Sequence, residues 1–173
     1  MQDYPLPKPD AQRPDTLILF AALAPSSHNS QPWLFEVDGD RIRLFADRRH
    51  LLDVCDPAGR ELVISCGCAL MNLRVAAAEA GCTLSTDLLP EPGEPDLLAS
   101  ITVQPGSGGA DADLALLFPA IFPRRTFRKR FEDRPVGQDL LARAIGAVER
   151  EGAWCVILES AELRHAAADL VAR

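Results

Sequence analysis

Apolar and polar positions follow two different patterns in the first fifty residues of the chain. Residues 16 to 24, TLILFAALA, are apolar at nearly every position, which predicts a buried helix with Asp15 as its N-cap. Residues 33 to 47, WLFEVDGDRIRLFAD, alternate between apolar and polar side chains on both sides of Asp-Gly-Asp. This alternation predicts two short strands joined by a hairpin turn.

The next apolar region predicts a turn and then a long helix. It covers residues 56 to 82, and Gly81 is placed to end the helix in the left-handed conformation. Small side chains, Ser65 among them, allow close packing near the start of this helix. Residues 83 to 90 and 97 to 104 predict two further strands, separated by the turn-rich EPGEP.

The composition changes at residues 105 to 113, PGSGGADAD, which predicts a flexible linker between two modules. After the linker we expect a short helix, a basic run, a helix over 138 to 151, a strand over 153 to 159 and a final helix. Helices mixed with strands in this way predict an α+β fold. The predicted organisation is a flexible N-terminal arm (1–14), a first module (15–104), the linker (105–113) and the start of a second module (114–173).

The two modules resemble each other weakly. Each contains a helix, a turn and a strand that begins with tryptophan, so that Trp33 and Trp154 occupy equivalent places. This is the pattern of an internal repeat, and chance is the alternative because helix, turn and strand often follow one another.

Charge and cysteine usage exclude several classes of protein. A formal net charge of −7 argues against a general binder of nucleic acid or anionic membranes. No apolar run approaches the roughly 20 residues that span a bilayer, and the N-terminus shows no basic and apolar leader pattern. The five cysteines are irregularly spaced, which favours free thiols in a reducing cytoplasm. We therefore expect a cytoplasmic protein.

The stretch from residue 24 to residue 33, APSSHNSQPW, places six hydrogen-bonding side chains, residues 26 to 31, between two prolines. Its uncharged groups both donate and accept, which suits a neutral planar heterocycle with donors and acceptors along one edge. The prolines restrict the backbone at both ends. The candidate binding residues are Pro25, Ser26, Ser27, Asn29 and Gln31. The alternative is a capped helix end and a tight turn.

Two other chemistries are disfavoured at this stretch. Ser27 and His28 are adjacent, so their side chains rarely meet as nucleophile and base, and the chain has no G-x-S-x-G elbow. The three histidines have no paired spacing that would indicate a metal site. We name neither a catalytic residue nor a metal ligand.

A basic run, RRTFRKR, occupies residues 124 to 130 of this acidic chain. Its interpretations are a solvated charged face, a nucleic-acid patch and a phosphate clamp. Guanidinium groups and a hydroxyl within one turn match a phosphate monoester. The clamp would consist of Arg124, Arg125, Thr126 and Arg128. A ring-edge site and a phosphate site together suit flavin mononucleotide.

At these positions the chain resembles the FMN-dependent nitroreductase superfamily. The PSxxNxQPW loop of that superfamily matches Pro25, Ser26, Ser27, Asn29, Gln31, Pro32 and Trp33. RRTFR at 124 to 128 resembles its RRSxR phosphate motif, and ALMNLRVAAAEAG resembles its core helix. The arginine motif follows the loop here, an order that resembles the twin, Acg-like branch, in which two degenerate modules share one chain.

The resemblance implies a nitroreductase-like mixed or antiparallel sheet flanked by helices, with an incomplete second module. It implies that the loop donates hydrogen bonds to the flavin ring, which favours the reduced flavin, and that the basic run holds the phosphate. The implied activity is NAD(P)H-dependent reduction of nitroaromatic or quinone-like acceptors by a homodimer, or by a chain whose C-terminal module is missing. A flavin-storing protein and a fragment that binds no flavin are the alternatives.

Overall fold

A computed structural model describes residues 8–10, 12–106, 110–132 and 134–172 of the chain. It divides into two compact units, Met1–Phe127 and Arg128–Arg173. Most of the arm predicted at 1–14 and the middle of the linker predicted at 105–113 lie outside the described residues.

The first helix, α1, spans Pro14–Ala21. The predicted N-cap at Asp15 is wrong, because the helix already begins at Pro14 and the capping position belongs to Arg13. Proline suits a first helical turn since its missing N–H would have no intrahelical acceptor there. Asp15 lies inside that turn. Its carboxylate interacts favourably with the positive N-terminal end of the helix dipole and accepts a hydrogen bond from Arg13 at 2.7 Å.

Four antiparallel strands form one sheet in the order β1-β2-β4-β3. Their bounds are Trp33–Asp38 for β1, Arg41–Ala46 for β2, Cys82–Leu88 for β3 and Leu97–Pro105 for β4. The predicted hairpin is confirmed, with Trp33 opposite Ala46. Its turn contains Gly39 at a φ of +60°, a conformation that glycine adopts without strain.

The long helix, α2, spans Arg60–Glu79 and is the predicted core helix. Its start is capped by the buried carboxylate of Asp56, which accepts from the Leu62 backbone N–H at 2.9 Å. Its end is followed by Gly81 at a φ of +74°, as predicted. Because α2 contacts α1 and one face of the sheet, it is the centre of the first unit.

The core of the first unit lies between α2 and the sheet. β2 alternates as predicted, with Ile42, Leu44 and Ala46 buried. In β1 only part of the predicted pattern holds, since Trp33 and Phe35 pack against the core whereas Val37 is 42% exposed. Val37 differs because it lies beside the hairpin turn at the edge of the sheet.

Residues beyond the predicted linker also pack into the first unit. Helix α3, Ala112–Ala115, contacts α2, and Leu114 and Phe118 pack against the core. The structural division therefore falls after Phe127, later than the compositional linker. The module boundary at the linker 105–113 stays a prediction.

The described residues of the second unit form two helices, α4 at Gln138–Arg150 and α5 at Ala161–Val171. The strand predicted at 153 to 159 is wrong, because these residues have no assigned secondary structure and the described part of this unit contains no strand that could pair with them. A strand is stabilised by its neighbours. Trp154, the second residue of this segment, is 82% exposed.

Among the described residues, α2 alone has the length and composition of a membrane span. The sequence pattern had not identified α2 as an apolar run of membrane-spanning length. Half of its most apolar stretch is buried within the unit. This burial is what a core helix of a folded domain shows.

We predict that Leu17→Ala in α1 lowers the free energy of unfolding by about 2–5 kcal/mol, because Leu17 is fully buried and its truncation leaves a cavity. Leu19→Ala is the matched control in the same helix, and since Leu19 is 43% exposed we expect it to cost less than about 1 kcal/mol. Chemical denaturation of both variants measures the difference. Equal losses would contradict this placement of the core.

Candidate functional site

The loop from residue 24 to residue 33 joins α1 to β1 and contains a single 3-10 turn, Ser27–Asn29. Three of its residues that are not glycine have left-handed backbones, with φ of 53° at His28, 57° at Asn29 and 50° at Gln31. Left-handed conformations of this kind persist only when the surroundings impose them. The contacts around the loop therefore determine its shape.

Hydrogen bonds inside the loop fix one side of it. Ser26 Oγ accepts from the Gln31 backbone N–H at 2.9 Å. The Gln31 side chain donates through Nε2 to the Ala22 carbonyl at the end of α1, at 3.3 Å. These bonds leave the Ser26 O–H and the Gln31 Oε1 for other partners.

Helix α2 fixes the start of the loop through Ser27. The Ser27 N–H donates to Ser65 Oγ at 3.3 Å, and the Ser27 hydroxyl donates to Glu61 Oε2 at 2.5 Å. The Ser65 hydroxyl in turn donates to the Glu61 carbonyl at 2.7 Å. The hydroxyl proton of Ser27, which the resemblance assigned to the flavin ring, is thus directed at a carboxylate.

Sequence reasoning missed the role of Glu61 and attributed Ser65 only to close packing. A signal was present, because two polar residues four apart lie on one face of the mostly apolar first half of this helix. Their partner Ser27 is 34 residues from Glu61 in the chain. No local pattern connects positions that far apart.

The end of the loop is anchored at Pro32, which is fully buried. Its carbonyl accepts from the Asp47 backbone N–H at 2.9 Å and from the Cys66 thiol at 3.2 Å. Burial, together with the neighbouring Cys68, raises the pKa of Cys66 to about 12. The Cys66 thiol is therefore protonated at neutral pH and remains a donor.

Asp47 follows β2, and its carboxylate, which is only 5% exposed, is in contact with the side chains of Arg49 and His50. Arg49 donates to both carboxylate oxygens, at 2.8 Å and 2.7 Å, and His50 Nδ1 lies 3.1 Å from one of them. The side-chain hydrogen bond from Arg49 is the main reason that the pKa of Asp47 is lowered to about 2, and burial opposes it. Asp47 is therefore ionised at neutral pH.

An aromatic cluster brings the start of the basic run to the loop. Phe20 of α1 packs edge-on against Phe118 at a centroid distance of 5.0 Å and against Phe122 at 6.1 Å. Two residues later, Arg124 donates to the Leu23 carbonyl at 3.3 Å. This bond holds the guanidinium of Arg124 at Leu23, which precedes Ser26 by three residues in the chain.

The other predicted residues are placed less closely. Arg125 and Thr126 are exposed in the first unit, whereas Arg128 is the first residue of the second unit. Pro25 is partly buried and Asn29 is exposed in the loop. The structure thus places Arg124 beside the residue that precedes the loop, and the phosphate clamp as a whole stays a prediction.

Within the described ranges, no three residues among His, Cys, Asp and Glu form a group that would hold a metal ion. His28 is exposed in the loop. The groups that the loop and its neighbour Arg124 present are hydrogen-bonding side chains and one guanidinium.

Relatives of the chain occur in Mycobacterium tuberculosis. Rv3131, whose name gives NAD(P)H nitroreductase as a provisional activity, is 39% identical over 141 residues, which are 80% of this chain and 40% of the relative. The protein Acg, with the same provisional activity in its name, is 37% identical over 131 residues, which are 70% of this chain and 39% of the relative. The chain thus spans about two-fifths of the length of these curated relatives.

No family model matches the chain. Among solved structures, a nitroreductase family protein from Streptococcus pneumoniae superposes with a TM-score of 0.43 at 18% identity, covering 76% of this chain and 88% of that one.

We predict that Asp47→Asn lowers the free energy of unfolding at pH 7 by about 1–2 kcal/mol, a range that allows for solvent screening at the exposed Arg49. The folded-state pKa, about 2, lies below the usual 3.8. The carboxylate therefore stabilises the fold fully above about pH 4, and this contribution is lost as the pH falls toward 2.

Urea denaturation between about pH 2.5 and pH 7 measures this effect, and stability should fall less steeply with acid in Asp47→Asn than in the wild type. Asp53→Asn, at an exposed carboxylate nearby, is the control and should retain the wild-type slope. Identical slopes for the wild type and Asp47→Asn would show that the carboxylate does not carry this dependence.

Proposed function

The chain is a homologue of the Acg-like mycobacterial nitroreductases, and on that relationship we propose that it forms part of an FMN-binding oxidoreductase. In this proposal NAD(P)H is the electron donor and a nitroaromatic or quinone-like compound is the acceptor. The protein acts in the cytoplasm, without nucleic acid or membrane, as a homodimer or together with a C-terminal module.

The observation that carries the proposal is the pre-formed polar loop. Its uncharged groups are held in a backbone conformation that α2 and the end of β2 impose. A site fixed before binding avoids the entropy cost of ordering its groups when the ligand arrives. Rigid, neutral donors and acceptors suit the edge of a planar heterocycle better than they suit a charged or flexible ligand.

The chemistry of the donor set fits FMN. Ser26 offers a hydroxyl proton, Gln31 an amide oxygen and Asn29 both kinds of group to the isoalloxazine edge. Arg124 uses one N–H on the Leu23 carbonyl and keeps others for phosphate. Arg125, Thr126 and Arg128 complete the proposed clamp. When bound, FMN supplies the hydride and electron chemistry, so these residues only bind and orient.

A second candidate is a protein that binds FMN without turning over. It is supported by the segment after α2, where Gly81 leads directly into β3 at Cys82. The family that the chain resembles has a glycine-rich loop near the reactive flavin nitrogen after its core helix. A regular strand in that place supplies fewer free backbone groups, which favours storage over catalysis.

Spectroscopy and kinetics separate these candidates. Visible flavin absorbance after purification, or after reconstitution with FMN, is expected for both. A colourless protein that cannot be reconstituted contradicts both. NAD(P)H consumption with a nitroaromatic acceptor then supports the oxidoreductase, and a flavin-loaded protein with no turnover supports storage.

For the phosphate clamp, we predict that Arg124→Ala combined with Arg128→Ala weakens FMN binding by a few kcal/mol, because each charged hydrogen bond contributes roughly 1.5–3 kcal/mol. Titration monitored by flavin fluorescence measures the affinity. The control is Arg143→Ala with Arg150→Ala, which removes the same charge from exposed positions on α4. Affinity that is unchanged in the first pair would rule out contact with phosphate.

A further inference from the structure

We propose that Glu61 makes Ser27 a hydrogen-bond acceptor toward the bound ligand, so that the loop selects a ring edge that carries an N–H group. Glu61 and Ser65 are then positioning residues of the site. The inference rests on the proposed function, because it concerns the same loop and takes FMN as the ligand.

The direction of the bond between Ser27 and Glu61 follows from the groups themselves. A serine hydroxyl has one proton and two lone pairs, whereas an ionised carboxylate only accepts. At 2.5 Å between Ser27 Oγ and Glu61 Oε2, the serine proton must lie on the line to the carboxylate. The lone pairs of Ser27 are what remains for a ligand.

The orientation is fixed by the backbone as well. The Ser27 N–H donates to Ser65 Oγ, and Ser65 donates its own proton to the Glu61 carbonyl one turn earlier. Both anchor residues belong to the same helix of 20 residues, so they move together. Asp56 caps the first turn of this helix, where Glu61 lies. Rotation of the Ser27 hydroxyl away from Glu61 would break a charge-assisted bond.

Ser27 remains accessible to a ligand. Its side chain is only partly buried, and Glu61 is exposed at the start of α2. A ring N–H directed at Ser27 would meet lone pairs and form a hydrogen bond. A ring carbonyl or an alkylated nitrogen in that place has no proton to donate to Ser27. The Ser27 oxygen and the facing ring atom would then both lack a hydrogen bond.

The pyrimidine edge of isoalloxazine has one N–H, at position 3, between two carbonyl groups. Replacing this proton with a methyl group, as in 3-methyl-FMN, removes the donor and keeps the phosphate and the rest of the ring. We expect the wild-type protein to bind FMN at least about tenfold more tightly than 3-methyl-FMN. Fluorescence titration and calorimetry measure both affinities without turnover.

Variants then locate the selectivity. Ser27→Ala removes the acceptor, and Glu61→Gln lets the side-chain amide donate to Ser27 so that the hydroxyl proton can turn to the ligand. Both should reduce the preference for FMN to about threefold or less, chiefly by weakening FMN binding. Glu79→Gln, at the exposed far end of α2, is the matched control and should keep the wild-type preference.

Each outcome has a defined consequence. Equal affinity of the wild type for the two flavins overturns the inference and leaves the proposed function standing. A preference that Ser27→Ala and Glu61→Gln both retain means that another residue or steric exclusion causes it, which also overturns the inference. Failure of the wild type to bind either flavin overturns the proposed function and the inference with it. Thermal unfolding verifies that the variants are folded.

Discussion

The polar loop between α1 and β1 depends on α2, which holds it at both ends. Ser27 is bonded to Glu61 and Ser65 at one end, and Cys66 donates to the Pro32 carbonyl at the other. A chain with three left-handed residues in four positions would relax if these bonds were absent. The position of α2 is in turn set by burial of its apolar face. The geometry of the site therefore depends on the packing of the core.

This dependence gives neighbouring serines opposite roles. Ser26 accepts from the Gln31 backbone and keeps its proton, whereas Ser27 gives its proton to Glu61 and keeps its lone pairs. The sequence alone shows two equivalent hydroxyls. Their roles differ because each hydroxyl makes one hydrogen bond that shapes the loop. That bond uses either the proton or a lone pair, and the other remains for a ligand.

The elements that could be predicted are those whose signals are local. The hairpin, α2 with its end at Gly81 and the two later strands each follow from side-chain periodicity and turn residues within one segment. The anchors of the loop could not be predicted, because Glu61 and Cys66 each act on a partner 34 residues away. The segment at 153 to 159 has strand-like composition, but the residues that the structure describes in its unit include no strand to pair with it, and composition cannot supply one. The contact between Phe118 and Phe20 could not be predicted either, because the composition of residues 105 to 113 suggested that the two residues belong to separate modules.

Charge near the loop changes the expected influence on a flavin. Donors at the pyrimidine edge would favour the reduced, more negative flavin, and this was the role implied for all four polar side chains. Ser27 does not donate there, and the Glu61 carboxylate lies 2.5 Å from its oxygen, so the nearest full charge to this part of the loop is negative. A negative charge opposes reduction at the ring edge, whereas Arg124 in the proposed arrangement is engaged by phosphate. Since Ser27 and Gln31 both present acceptors, which work against the donors of Ser26 and Asn29, the loop in the proposed arrangement would orient a flavin rather than raise its reduction potential.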